Sequence, residues 1–398
     1  MKSVLSDEIQ EYLEHSSWIR QMFEKGIELK KIYGDNNVYD FSLGNPDVPP
    51  PENVKKALQE ITQSSLQPFS LGYMSNAGYM ETRSALAKKV SEEQSADIDA
   101  NQIVVSCGAA GGLNCVFRAI IQPGDEVICP APYFVEYGFY VSNYGATLHP
   151  VPSNKDDFSL DITAIKAAIT NKTRAFIINS PNNPTGRIYS KEELSGLAAV
   201  LKEKSEEYQR PILLVSDEPY RFLNFDNLEI PSIFNLYNAS VIIGSFSKNL
   251  SLAGERLGYI AVSKDFPNFS HFIAAVTMAN RILGFVNAPC IGQKILNKCI
   301  NDEADMQKYC YRRNLMADVL QKAGLEFYLP PGAFYFFPKS PIADDTEFCR
   351  ILVEERVLAV PGTGFGLKGF LRFAFCVNEK TITEALPSIK HAVQIAKK

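Results

Sequence analysis

The chain has 398 residues, 46% of them hydrophobic and 21% charged, and its 40 basic and 45 acidic side chains give a formal net charge of −5. This is the composition of an ordinary globular protein with length for two or three domains, without the basic, aromatic-interleaved tracts of a nucleic-acid surface. No apolar run reaches the ~18 residues of a membrane span, and the opening Met1-Lys2-Ser3-Val4-Leu5-Ser6-Asp7 has no secretory pattern.

Residues 8–33 are predicted to form an amphipathic helix. Leu13, Ile19, Met22, Phe23, Ile27 and Leu29 recur near helical spacing, and Gly34 stops it. A short strand at 38–43 leads into the proline-rich connector 44–51, a candidate domain boundary. A helix follows from Pro51 to Thr62, with proline at its first turn. Residues 71–78 read as a loop, and a helix then runs through Arg83, Leu86 and Val90.

From residue 103 the pattern changes. Strands at 103–106, 126–129, 147–150, 175–179, 212–216 and 241–244 alternate with helices, including ones at 162–169 and 191–207. That βαβ rhythm belongs to a mostly parallel sheet covered on both faces, an α/β fold. One more strand is expected at 259–262, then helical segments to about 324, with a long helix around 293–322. Extended stretches at 327–335, 357–361 and 371–375 alternate with helices at 345–355 and 381–396 and read as a smaller α+β part.

The eight cysteines are scattered with no C-x-x-C pair, as in a protein of reduced thiols, so a cytoplasmic location is expected. The four histidines (His15, His149, His271, His391) lie far apart, so no metal site and no histidine-based triad is expected.

The stretch with the most chemistry is 245–258. Lys248 stands just past an apolar β-branched strand, among Ser245, Ser247 and Ser251, with Arg256 eight positions on. A lysine amine whose charge is disfavoured forms imines with carbonyls, and hydroxyls with an arginine hold phosphate. Together they point to a carbonyl cofactor with a phosphate handle; a solvated loop lysine is the alternative. The glycine-rich turn 108–112 lies between a strand and a helix, where backbone N–H groups make an anion site or simply a tight turn. Asp217 ends a strand, in the crevice where open α/β sheets bind ligands, or caps a helix. Phe134 follows a strand through Pro130 and Pro132 and is either a ring-stacking or a core aromatic. Arg372 stands inside an apolar strand, either in a salt bridge or as a fork for a carboxylate.

The segment around Lys248 resembles the lysine-attachment signature of the class I/II aminotransferases, pyridoxal-phosphate-dependent enzymes of fold type I. The segment 179–186, Asn-Ser-Pro-Asn-Asn-Pro-Thr-Gly, resembles their N-P-T-G element. The resemblance implies that Lys248 forms the Schiff base with pyridoxal 5'-phosphate and moves the substrate proton. It puts Asp217 at the pyridine nitrogen, Tyr220 and Asn183 at the phenolate oxygen, and Phe134 on the ring. Arg256, Ser245, Ser247 and the Gly108, Ala109 and Ala110 backbone would hold the phosphate, with alanines where the family often has hydroxyl or charged residues. Tyr73 would reach the phosphate of a neighbouring subunit in a homodimer. Gly44, Asn183 and Arg372 would take the substrate α-carboxylate.

The fold it resembles packs the N-terminal arm with the C-terminal part, so 51–289 is expected as the large domain and 1–50 with 290–398 as the small one. In aspartate-specific relatives a partner-subunit arginine pairs with the distal carboxylate. Arg281, the only arginine between Arg256 and Arg312, stands in that segment; the alternative is a surface or helix-end arginine. The expectation is thus an aminotransferase acting on an L-amino acid, with aspartate or glutamate as candidates, and a 2-oxo acid. A β-lyase or decarboxylase on the same cofactor is a competing reading. So is a non-enzymatic cofactor-binding regulator, for whose DNA-binding domain there is no room before Tyr39.

Overall fold

The computed structural model describes residues 4–14 and 18–398. The expected strands form β1 (Ile103–Cys107), β2 (Glu126–Ala131), β3 (Thr147–Pro152), β4 (Thr173–Asn179), β5 (Leu213–Asp217), β6 (Ser240–Ser245) and β7 (Leu257–Val262). They make one seven-stranded sheet in the order β1-β7-β6-β5-β4-β2-β3. The β2–β3, β2–β4, β4–β5 and β5–β6 pairs are parallel, and β7 runs antiparallel to both β6 and β1. Six strands therefore point the same way and one points back.

Side-chain alternation splits the strands between two cores. Ile103, Val105, Phe176, Ile178, Leu214 and Ile242 pack on one face. Val104, Val127, Ala175, Ile177, Val215, Val241 and Ile243 pack on the other. Because both faces are covered, every second residue stays apolar on each side, which is why these strands read as continuous apolar runs.

Two compact units divide the chain: Asn45–Lys308 with Pro330–Ala333, which holds the large sheet, and Met1–Gly44 with Tyr309–Leu329 and Phe334–Lys398. The division falls at Lys308, later than the expected 289. The reason is that the long helix expected at 293–322 is two helices, Cys290–Cys299 and Met306–Ala323. The first buries Ile295 and Leu296 in the core that also contains Val54 and Ala57. At the break, Asp302 accepts a hydrogen bond from Asn53 Nδ2 at 2.9 Å, which ties it to the helix Glu52–Ser64. Pro51 stands at that helix's N-cap, one position before the first turn.

In the other unit, Leu371–Ala374 lies between Val360–Pro361 and Tyr335–Phe336 in a three-stranded antiparallel sheet, and Tyr39–Asp40 pairs in parallel with Val357–Leu358. Of the extended stretch expected at 327–335, Tyr335 pairs in the three-stranded sheet, and Gly332 makes an isolated antiparallel bridge with Asn224. The helix expected at 381–396 is Glu379–Glu384 and Leu386–Ala396, with a proline in the first turn of the second. The helix expected at 8–33 is Asp7–Glu14 and Trp18–Tyr33; residues 15–17, with His15, and residues 1–3 lie outside the described residues. Among the described residues no helix is long and apolar enough to cross a membrane.

One close approach joins β7 to β1. A Cβ on Gly258 would stand 2.5 Å from the Gly108 carbonyl carbon, 2.7 Å from the Gly244 oxygen and 2.9 Å from the Ala109 nitrogen. All three are backbone atoms, so no side-chain rotation relieves the clash. Gly258→Ala is expected to destabilise the protein by ~1–3 kcal/mol, the usual cost of overpacking. Gly254→Ala, where a Cβ meets nothing within 4 Å, should stay within about 0.5 kcal/mol of the unmodified chain. Urea unfolding measures both, and equal midpoints for the two variants would contradict the packing argument.

Candidate active site

The parallel strands deliver their C-terminal ends to one edge of the sheet. β1 ends at Cys107 and turns into the helix Gly108–Ile120. β2 ends at Ala131, just before Tyr133 and Phe134, and β4 ends at Asn179, just before Asn183. β5 ends at Asp217 and β6 at Ser245, with Tyr220 and Lys248 three residues beyond each. Because β7 runs the other way, its start brings Arg256 and Gly258 to the same edge. The β4–β5 register sets Asn179 beside Asp217, and the β5–β6 register sets Asp217 beside Ile243.

Asp217 is buried, and its carboxylate has two different oxygens. Oδ2 accepts a hydrogen bond from the Tyr137 hydroxyl at 2.6 Å. Oδ1 is buried with no hydrogen-bond partner among the described residues. Burial pushes the carboxyl up to about 7; the Tyr137 hydrogen bond pulls it down and the neighbouring Glu218 pushes it up. Such an acceptor is costly unless a donor or cation is brought to it.

Asn179 uses both ends of its amide here. Nδ2 donates to the Asp217 carbonyl at 2.8 Å, and Oδ1 accepts from the Asn183 backbone N–H at 2.7 Å. Phe134 meets Tyr137 edge-on, with ring centroids 5.6 Å apart at 87°. Tyr220 and Asn183 are both buried.

The anion-binding half lies where Arg256 reaches the helix Gly108–Ile120. A Cβ on Gly108 would fall 2.9 Å from Arg256 Nη2, so the guanidinium rests against the bare backbone of the first helical residue. Ala109 and Ala110 follow it at the N-terminus of that helix, where backbone N–H groups are not used by the helix itself. The Ser245 hydroxyl donates to Ser247 Oγ at 2.9 Å and accepts from the Ser247 N–H at 3.1 Å. Lys248 is half-buried in the turn after them.

Gly44 and Arg372 belong to the other unit. The Arg372 guanidinium lies between the rings of Tyr335 and Phe365, 4.8 and 4.7 Å from their centroids, and donates to the Ser42 carbonyl. A Cβ on Gly44 would overlap the Tyr335 hydroxyl, so Tyr335 packs against both.

Tyr73 is 93% exposed, and its loop is laced to the segment after Arg281. Asn76 Nδ2 donates to the Val286 carbonyl at 2.7 Å and Asn287 Nδ2 to the Ser75 carbonyl at 2.9 Å. Arg281 is exposed in the last turn of the helix Phe269–Ile282 and makes no ion pair among the described residues. Tyr137, Asn179 and Tyr335 were not singled out from the sequence. Asn179 opens the quoted 179–186 segment and Tyr137 stands three residues after Phe134, but only the fold shows what their side chains hold.

The residues at this sheet edge fit a phosphorylated pyridine aldehyde. A helix N-terminus with an arginine suits the phosphate, an aromatic the ring face, a buried partnerless carboxylate oxygen the ring nitrogen, and a half-buried lysine the carbonyl.

Residues 36–389 match the family model for aminotransferase class I and II. The chain is 31% identical over 372 residues to a probable aspartate/prephenate aminotransferase of Aquifex aeolicus, covering 90% of this chain and 91% of the relative. It is 28% identical to an aromatic-amino-acid aminotransferase of Thermococcus litoralis, covering 98% of each. A solved aminotransferase structure from Eubacterium rectale superposes with a TM-score of 0.95 at 36% identity, covering 100% of both chains. With nearly its whole length accounted for in this way, the chain belongs to the class I and II aminotransferases, enzymes of α/β fold type I that work with pyridoxal phosphate.

Proposed function

We propose that the sheet edge around Asp217 and Lys248 is the transamination site, and that the amino donor is an acidic L-amino acid. The observation that carries the reading is the buried Asp217 Oδ1, an acceptor without a donor, one strand away from the loop that holds Lys248. Bound pyridoxal phosphate supplies an electron-withdrawing ring that stabilises negative charge at the substrate Cα.

The chain's own residues do the rest. Lys248 would hold the cofactor through its carbonyl, and its amine would take and return the substrate Cα proton. Asp217 keeps the ring nitrogen protonated. Asn183 and Tyr220 donate to the phenolate oxygen, and Phe134 covers a ring face. Ser245, Ser247, Arg256 and the Gly108, Ala109 and Ala110 amides hold the phosphate. Arg372, Gly44 and Asn183 are the residues proposed for the substrate α-carboxylate, with Arg372 as the bidentate fork.

The dicarboxylate reading is supported by Arg281, an exposed cation with no ion pair among the described residues, and by the relative named for aspartate and prephenate. An aromatic donor is the second reading. It is favoured by Ala109 and Phe285, uncharged side chains packed against the core beside the glycine-rich turn, and by the relative named for aromatic amino acids. The test mixes enzyme with single amino acids and follows the cofactor's absorption change. On the proposed reading aspartate or glutamate reacts best, and Arg281→Ala lowers kcat/KM for them at least about tenfold, the loss of a charge-assisted pair, while apolar donors are spared. Equal kcat/KM for aspartate and phenylalanine in the unmodified enzyme would instead support the aromatic reading.

A homodimer with shared sites is the proposed assembly. Its support is an exposed apolar face on the elements that bear Tyr73 and Arg281: Leu66, Phe69, Leu71, Met278 and Ile282. Eight free cysteines are consistent with the cytoplasm as the proposed compartment. Dimers carrying Tyr73→Ala, mixed with dimers carrying Lys248→Ala, should regain activity that neither parent shows, because heterodimers contain one intact site. No recovery after demonstrated subunit exchange, or a monomer by sedimentation, would contradict shared sites.

A further inference from the structure

We infer that Tyr137 is a positioning residue for transamination: its hydroxyl clamps Asp217 Oδ2 so that Oδ1 stays turned to the cofactor nitrogen, while its ring braces Phe134. The inference rests on the proposed role of Asp217 at that nitrogen.

Five observations carry it. Tyr137 is 1% exposed, so its hydroxyl is shielded from bulk solvent. Its bond to Asp217 is 2.6 Å, the length of a strong O–H···O⁻ contact. The other carboxylate oxygen is left without a partner, so the clamp sorts the two oxygens into one held and one offered. The Asp217 main chain is fixed independently, through its carbonyl and Asn179. The carboxylate's remaining freedom is rotation about its own side-chain bonds, which the Tyr137 hydroxyl stops. The edge-on contact of Tyr137 with Phe134 then ties the ring-stacking aromatic to the same anchor.

The clamp also acts on charge. Burial and the neighbouring Glu218 favour the protonated form of Asp217, and the Tyr137 hydrogen bond opposes them. Tyr137 itself is held neutral by burial and by the Asp217 charge, with Cys129 and Tyr220 adding to the effect, so it stays a donor. Tyr140, also held neutral by burial and by Glu136 and Asp217, and the cationic Arg256 complete the set that faces this corner. Without the Tyr137 donor the shared proton moves from the cofactor nitrogen toward Asp217. The ring then withdraws electrons less well.

Tyr137→Phe keeps the ring against Phe134 and removes only the hydroxyl. The readout is the 15N resonance of cofactor labelled at the ring nitrogen, bound to the holoenzyme, together with steady-state kinetics. The nitrogen resonance should move toward its unprotonated position. The kcat should fall about tenfold or more with the amino-acid KM changed less than about threefold, because transition-state charge is affected rather than substrate binding. A role in packing alone would lower the melting temperature and leave the resonance in place. A wild-type resonance with kcat within about twofold in the folded variant overturns the inference.

Asp217→Asn separates the two layers. If it also leaves the resonance unmoved, the assignment of Asp217 itself fails. If it moves the resonance and Tyr137→Phe does not, only the clamp fails. Should Tyr137→Phe not fold, Tyr137→His, which returns a donor at that position, is measured in the same way. A resonance near the wild-type position is then expected, and an unprotonated one in folded Tyr137→His overturns the clamp.

Discussion

A carboxylate taken out of water at the end of a β-strand is the constraint from which the rest of the site follows. Burial of an isolated anion costs several kcal/mol unless partners replace its hydration. Asp217 has half of that compensation built in, from Tyr137 at 2.6 Å, and half left open at Oδ1. The open half is suited to a ligand that brings N–H⁺ to that point. On the proposed reading a protonated pyridine does so, and the contact that would bind the ring is also the one that would keep it electron-poor.

Around that carboxylate the sheet acts as a jig. Parallel strands put their C-terminal ends on one edge, and the registers Asn179↔Asp217 and Asp217↔Ile243 fix which residues share it. The single antiparallel strand, Leu257–Val262, is what returns Arg256 to that edge. Gly258 then lets this strand lie against the Gly108–Ala109 backbone, so the guanidinium meets a helix N-terminus. With alanines at 109 and 110, the first turn of that helix offers an anion backbone N–H groups and no hydroxyl of its own. Asn179, occupied at both ends, keeps the Asn183 loop in step with Asp217.

Much of this is legible in the sequence, for identifiable reasons. A doubly covered sheet gives unbroken Val/Ile/Leu runs, so its strands and their alternation with helices can be read without coordinates. Lys248, Arg256, Asp217 and Asn183 follow those runs at short spacing. The shorter strands of the other unit are legible as extended stretches but not in their bounds, because Tyr335–Phe336 and Val357–Leu358 are two residues each, too brief for a period to show. The break between Cys299 and Met306 is marked locally by Asn301, Asp302 and Asp305, the last accepting from the Lys308 N–H at 3.2 Å, but the apolar spacing on either side reads through it as one helix. Tyr137 and Asn179 act instead through contacts distant in sequence. As residue types they resemble any helix tyrosine or strand-end asparagine, and their roles exist only once β2, β4 and β5 are side by side.

The account's central claim is that Lys248 is the amine this site is built to present to the cofactor carbonyl. Reduction of the holoenzyme with borohydride, followed by proteolysis and mapping of the fixed cofactor, tests it most directly. The predicted result is one modified peptide, containing 245–256, with the pyridoxyl group on Lys248. A pyridoxyl group on any other lysine would contradict the assignment and the arrangement argued from it.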